Sequence, residues 1–237
     1  MPFEDDKIVM ETSSAEQLTG IQQMKQRLSR FETEHGRLAG LSYQPTNMNE
    51  VVITTTPKAG TTWMQQICHQ LRSSKSSSSL SSNNTSANYD DNGDMKFDEI
   101  SQVVPWLELA YDQQQDLYGP QYGHSDDKPR FFKSHAWYDH CPPFPKTIVV
   151  IRHPYNVLVS FYKFFEDWFF ESGSVTIDEF ADEFWLARDV PSSKMQNASY
   201  FVHLISWYQQ LVNNEDGHKD QLRQSQQNDH WPRILFV

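Results

Sequence analysis

The sequence predicts an α/β domain built on a central, mainly parallel sheet flanked by helices. Three observations carry this expectation. Residues 51–72, VVITTTPKAGTTWMQQICHQLR, read as a strand, a short loop and a helix. Residues 146–154, KTIVVIRHP, read as a continuous apolar strand of the kind buried on both faces, and a helix follows it. Residues 233–237, RILFV, read as one more buried strand.

The elements follow in chain order. Over 14–35, Leu18, Ile21, Met24, Leu28 and Phe31 recur every three to four residues, which predicts one amphipathic helix with Gly36 near its end. Val51–Thr55 is the first strand, with the helix after Gly60. Residues 73–94 hold nine serines in 22 residues, cannot bury enough surface to offset the entropy of ordering, and are expected to be a disordered insertion. Residues 103–111, VVPWLELAY, suit a short helix or turn, and 130–137, RFFKSHAW, a strand with a polar end. After Pro154 comes a long aromatic helix. Amphipathic helices are expected over Thr176–Arg188, where Thr176 and Glu179 have capping-box spacing, and over Ser199–Val212. A hydrophilic connector, residues 213–230, precedes the last strand.

Composition narrows the function. The chain has 237 residues, enough for one large domain, and we read 1–237 as a single domain with residues 1–13 flexible. A net charge of −11 argues against a general nucleic-acid binder but leaves room for a local basic pocket. Cys68 and Cys141 are too few and too far apart for a disulfide scaffold or a metal site, so a reducing compartment is expected and no metal. The acidic N-terminus lacks the apolar run of a secretory signal, and no stretch reaches the roughly 18–20 apolar residues of a membrane helix. A cytoplasmic location is the resulting expectation.

The loop TTTPKAGTTW carries the first chemistry. A strand ends, Gly60 permits a tight turn, and Thr61 and Thr62 begin a helix whose free N–H groups and positive end converge on an anion. Lys58 adds a mobile charge. The lysine precedes the glycine by two residues, so this is not a Walker A loop, and no magnesium-holding aspartate is evident. His135, after Lys133 at a strand end, makes chemical sense as a base. Arg152 offers a planar fork suited to phosphate, and Ser160 on the next helix can add a hydroxyl.

Pro57-Lys58-Ala59-Gly60-Thr61-Thr62-Trp63 closely resembles the PKSGTTW loop of cytosolic sulfotransferases, which holds the 5′-phosphosulfate of 3′-phosphoadenosine-5′-phosphosulfate (PAPS). Phe132-Lys133-Ser134-His135 is similar to that family's K-T-H strand end, and Arg152 with Ser160 to its 3′-phosphate site, although the family's R-N-x-x-D is here Arg152-His153-Pro154-Tyr155-Asn156. VPWLEL (104–109) resembles its V-P-F-L-E-F stretch, and 203–208 and 234–237 match further segments. The likeness spans most of 40–237 and implies a P-loop-like fold.

The resemblance makes His135 the general base and Lys58 and Lys133 the stabilisers of charge. Lys58, Ala59, Gly60, Thr61, Thr62, Trp63, Arg152 and Ser160 become the PAPS-binding residues, with Trp63 stacked on the adenine. Trp106, Trp137 and Phe164 would line a pocket for a small phenol, alcohol or amine. The implied reaction moves a sulfuryl group from PAPS to that acceptor. The family's Tyr-Glu-Asp segment, its R-K-G-x-x-G-D-W-K stretch and its C-terminal dimerisation motif do not occur, so an incomplete sequence is expected and a homodimer is left open. Two alternatives remain: a non-catalytic nucleotide-binding relative, and a P-loop kinase acting on a small metabolite.

Overall fold

The computed structural model describes residues 18–74, 97–119, 128–221 and 233–237; most of the serine-rich stretch, residues 1–13 and the second half of the hydrophilic connector lie outside them. Four parallel strands form the sheet in the order β2-β1-β3-β4: β1 Glu50–Thr55, β2 Arg130–Ser134, β3 Lys146–Val150 and β4 Arg233–Phe236. The α/β parallel architecture is therefore as the sequence predicts.

Central β1 is buried at every position, and the alternation of its side chains explains why. Val51 and Ile53 join Phe131, Cys68 and Val104 on one face, while Val52 joins Phe132, Tyr43 and Leu107 on the other. Helix α3, Thr61–Ser74, lies on the first of these faces; short α4, Leu107–Ala110, lies on the second and is buried throughout. Helix α5, Pro154–Trp168, starts with proline, whose missing N–H is no loss there. Its Val157, Phe161 and Phe165 centre a third, phenylalanine-rich core that includes Ala59 of the loop after β1.

Several elements differ from expectation. The helix expected over 14–35 is two, α1 Gly20–Leu28 and α2 Glu34–Gly40. The break has a local cause: the Thr33 hydroxyl caps α2 by accepting from Gly36 N, and Asp112 accepts from both Thr33 N (2.8 Å) and its hydroxyl (2.5 Å). Gly36 thus sits inside α2, where a Cβ would meet Asp112 Oδ1 at 2.2 Å. Strand β3 alternates half-buried and buried rather than being covered on both faces. Strand β4 is not buried either: it is the sheet's edge, and Leu235 is 58% exposed.

The Thr176–Glu179 capping box forms, but α6 covers only Ile177–Phe180 and passes into a π turn over Ala181–Trp185, short of Arg188. Helix α7 runs Tyr200–Gln221, so the first part of the expected connector is helical. Among the described residues no helix is long and apolar enough to cross a membrane.

Candidate active site

The chain visits β1, then β2 on one side, then crosses to β3 on the other, so the sheet has its switch point at the C-terminal ends of β1 and β3. Crevices of this kind are where open α/β sheets place their ligands. The 56–60 loop, His135 and Arg152 all leave the sheet at that edge.

The loop is wound tightly. Ala59 N donates to Thr56 O at 3.2 Å, and Met64 N to Gly60 O at 3.2 Å opens α3. Two successive departures to positive φ, 70° at Lys58 and 113° at Gly60, turn the chain from strand to helix. Glycine adopts such a φ without penalty, whereas lysine in the left-handed region stores strain of the sort that collects at functional sites. The Thr61 hydroxyl is engaged inward, 2.6 Å from Thr55 Oγ1, and the residue is buried. Thr62 and Trp63 face solvent. Of the groups the sequence assigned to the anion, Thr61 thus retains its helix-start N–H but not a free hydroxyl. The buried Thr56 hydroxyl has no partner among the described residues.

Three cations flank the loop. Arg152 Nη1 donates to Lys58 O at 3.2 Å, tying the end of β3 to the loop, and Tyr200 OH donates to Arg152 O at 2.7 Å. Burial, with Arg152 beside it, holds the Lys58 ammonium below its ordinary pKa, and Lys58 Nζ rests over the Phe164 ring at 4.3 Å. Ser160 lies one turn before Phe164 and so shares its face of α5, although no hydrogen bond joins Ser160 to Arg152. Lys133 Nζ lies 3.7 Å from the Trp106 ring centre, and burial lowers it to about 8 although Glu108 pulls the other way.

His135 is buried just past β2. Its Nδ1 is 2.8 Å from Thr55 O. A carbonyl only accepts, so Nδ1 carries the hydrogen and Nε2 is the nitrogen with the free lone pair. Burial, reinforced by the Lys133 charge, keeps the ring well below its usual pKa, hence neutral. The Trp106 ring meets His135 edge-on at 5.0 Å. Glu108, wholly buried, accepts from His135 N at 2.6 Å and from Ser134 Oγ at 3.0 Å.

The fold therefore brings His135, Lys133 and Trp106 together, and Lys58 together with Phe164 and Arg152. Phe31 links the two groups, its ring 6.1 Å from Trp106 and 5.8 Å from Phe169, which lies 6.4 Å from Phe164. Trp137 stands apart. It contacts His140 at 5.4 Å and makes no ring contact with Trp106 or Phe164 among the described residues. Sequence reasoning missed Thr55 and Glu108. A lone acid inside the apolar VPWLEL was a signal for Glu108, whereas Thr55 gave none beyond the polar end of a strand.

An α/β protein with a tight strand-to-helix loop and a neutral histidine at its sheet's switch point is the class these features define. The chain belongs to the sulfotransferase family: the model of the sulfotransferase domain matches residues 48–218. No curated protein matches the chain. Among solved structures it is similar to mouse sulfotransferase SULT7A1 complexed with PAP, at 19% identity over 85% of this chain and 55% of that one, with a TM-score of 0.44. It is also similar to retinol dehydratase in complex with retinol and PAP, at 16% identity over 79% and 59%, with a TM-score of 0.43. The same enzyme with androsterone and inactive cofactor PAP gives 16% identity over 84% and 57%, also at 0.43. The chain spans little more than half the length of these solved relatives.

Proposed function

We propose that the protein, as one domain, is a sulfotransferase that uses PAPS, with a hydroxyl or amine of a small molecule as acceptor and His135 as general base. The observation that carries this reading is the Nδ1–H bond from His135 to Thr55 O, which leaves Nε2 as a neutral, proton-accepting atom on a ring that feels the Lys133 charge. PAPS would supply an activated sulfuryl group on a phosphate leaving group.

The donor set fits such a molecule. The N–H groups at the start of α3 and the Lys58 ammonium suit the 5′-phosphosulfate. Arg152 and Ser160 suit a second phosphate, and the unpartnered Thr56 hydroxyl gives the loop one more polar group. Trp63, 79% exposed on the first turn of α3, offers a flat face to a base. Trp106 and Phe164 would line the acceptor side; Trp137 belongs there only if the pocket extends to His140.

In the reaction His135 Nε2 takes the acceptor's proton as the acceptor oxygen or nitrogen approaches sulfur. Lys133 and Lys58 stabilise negative charge on the sulfuryl oxygens and on the departing phosphate, the more strongly because both are partly withdrawn from water. Calorimetry with adenosine 3′,5′-bisphosphate tests the donor site, and transfer of labelled sulfate from PAPS to a panel of phenols, alcohols and amines tests the activity. Binding retained and transfer abolished in His135→Ala supports the base. Loss of both together, or no binding by the wild-type protein, sinks the reading.

A further inference from the structure

A second buried histidine stands behind the first. His203, on α7, is 2% exposed, and its Nε2 lies 3.0 Å from Thr54 Oγ1. That hydroxyl donates to Ala136 O at 3.1 Å. With the Thr54 proton committed, the hydrogen between ring and hydroxyl belongs to His203 Nε2. The same face of α7 grips the chain twice more: Trp207 Nε1 donates to Ala136 O at 3.5 Å, and Ser206 Oγ accepts from Tyr138 N at 3.2 Å. Ala136 directly follows His135.

We propose that His203 is a positioning residue for His135: through Thr54 and Ala136 it fixes the main chain on the C-terminal side of the base, so that the His135 ring stays against Thr55 O and presents only Nε2. This rests on the reading of His135 as the base. Glu108 fixes the opposite side by accepting from His135 N, so the base is held at its own amide and at the next carbonyl.

Filling this space alone would favour an apolar side chain, because burying an imidazole costs free energy unless its hydrogen bonds are made. Burial pushes His203 down to about 3, so the lock keeps its neutral donor across the working pH range. The other polar groups around His135 are Thr55 of β1, Lys133 and Ser134 of β2, Glu108 of α4 and Arg37 of α2; Ser134 Oγ accepts from Ala136 N at 3.0 Å, and none of them hydrogen-bonds Ala136 O.

Long-range nitrogen–proton NMR on histidine-labelled full-length protein reads the tautomer and titration of His135 without an acceptor, the resonance being assigned from His135→Gln. Wild type is expected to show one tautomer, protonated at Nδ1. In His203→Ala and in Thr54→Val, His135 should become a mixture of tautomers and titrate closer to the ordinary imidazole value of about 6.5. His203→Asn, which keeps an N–H donor, should restore much of the single tautomer. Affinity for adenosine 3′,5′-bisphosphate should stay within about twofold throughout, since the side-chain hydrogen bonds of His203 and Thr54 go to each other and to Ala136 O, and His203 meets the 56–60 loop only as a wall of the small cavity it shares with Thr56.

An unshifted titration and a single Nδ1–H tautomer in the folded variants overturn the proposal. If His203→Ala does not fold, Thr54→Val decides, because valine keeps threonine's shape in a strand. If wild type fails to bind adenosine 3′,5′-bisphosphate, the donor reading falls while the tautomer comparison still judges the lock.

Discussion

Replacing Gly60 by alanine separates backbone strain from steric exclusion in the anion loop. A Cβ at Gly60 would meet only Val150 Cγ1, at 3.7 Å, an ordinary van der Waals distance. Space is therefore available and the cost is conformational. At a φ of +113° an alanine lies outside the allowed regions, at an expense of about 1–3 kcal/mol. The loop can relieve that strain only by rotating its peptides, whose N–H groups are the proposed anion donors. Each 1.4 kcal/mol of misdirected binding is about a tenfold loss of affinity. Gly60→Ala should therefore weaken adenosine 3′,5′-bisphosphate binding roughly 10-fold or more by calorimetry.

Gly173 is the control. Its φ is also positive, at +79°, and a Cβ there would meet nothing within 4 Å, but it lies in the turn between α5 and α6. Gly173→Ala should lower stability in urea by about 1 kcal/mol and leave binding unchanged. Equal loss of affinity in both variants, or none in Gly60→Ala, would refute the argument.

Further outcomes follow from the same geometry. Once an acceptor is found, kcat/KM should fall on the alkaline side as Lys133 loses its proton at about 8, and on the acid side only well below 6.5, where His135 protonates; a profile flat to pH 10 would exclude Lys133. Stability should fall as pH drops from 6 to 5, because the unfolded chain protonates its histidines near 6.5 while buried His203, held at about 3, does not. Below 6.5 the slope from His203 alone is about 1.4 kcal/mol per pH unit, and thermal scans showing no loss over that unit would contradict it. Glu108→Ala leaves His135 N–H and the Ser134 hydroxyl without their acceptor, at roughly 1–3 kcal/mol for each, visible as an earlier urea midpoint. In Gly40→Ala the Cβ would lie 1.7 Å from Leu107 O, a backbone clash that must separate α2 from α4; it should destabilise more than Gly173→Ala does.

What was legible in the sequence was local. The 51–63 run encodes a strand, a turn and a helix start within one short window, and the structure realises it with Thr55, Gly60 and Thr61 where the pattern puts them. Thr176 and Glu179 likewise form their capping box, because both partners lie within one turn. The misreadings arose where a distant residue decides. Asp112 restarts a helix at Thr33 from 79 positions away, which no periodicity over 14–35 could reveal. The apolar RILFV and KTIVV look alike to a hydropathy reading, yet one is an edge and the other interior, because sheet order is set by crossovers and not by the strands themselves.

The same distinction governs the site. A histidine at a strand end is visible as a candidate base, but the properties a base needs are supplied from elsewhere in the chain. Its tautomer is set by Thr55, 80 residues earlier, and its amide is held by Glu108, 27 residues earlier. Neutrality comes from burial and from the Lys133 ammonium two residues before it. None of these partners is strange in its own sequence context: a threonine ends a strand, a glutamate sits in a short helix, a lysine points out of a sheet. They become chemistry only because β1 lies between β2 and β3. That order puts the loop after β1 against Arg152 after β3 on one side, and the Thr55 carbonyl against His135 after β2 on the other. Exchanging β1 with either neighbour would keep every motif and dismantle the site.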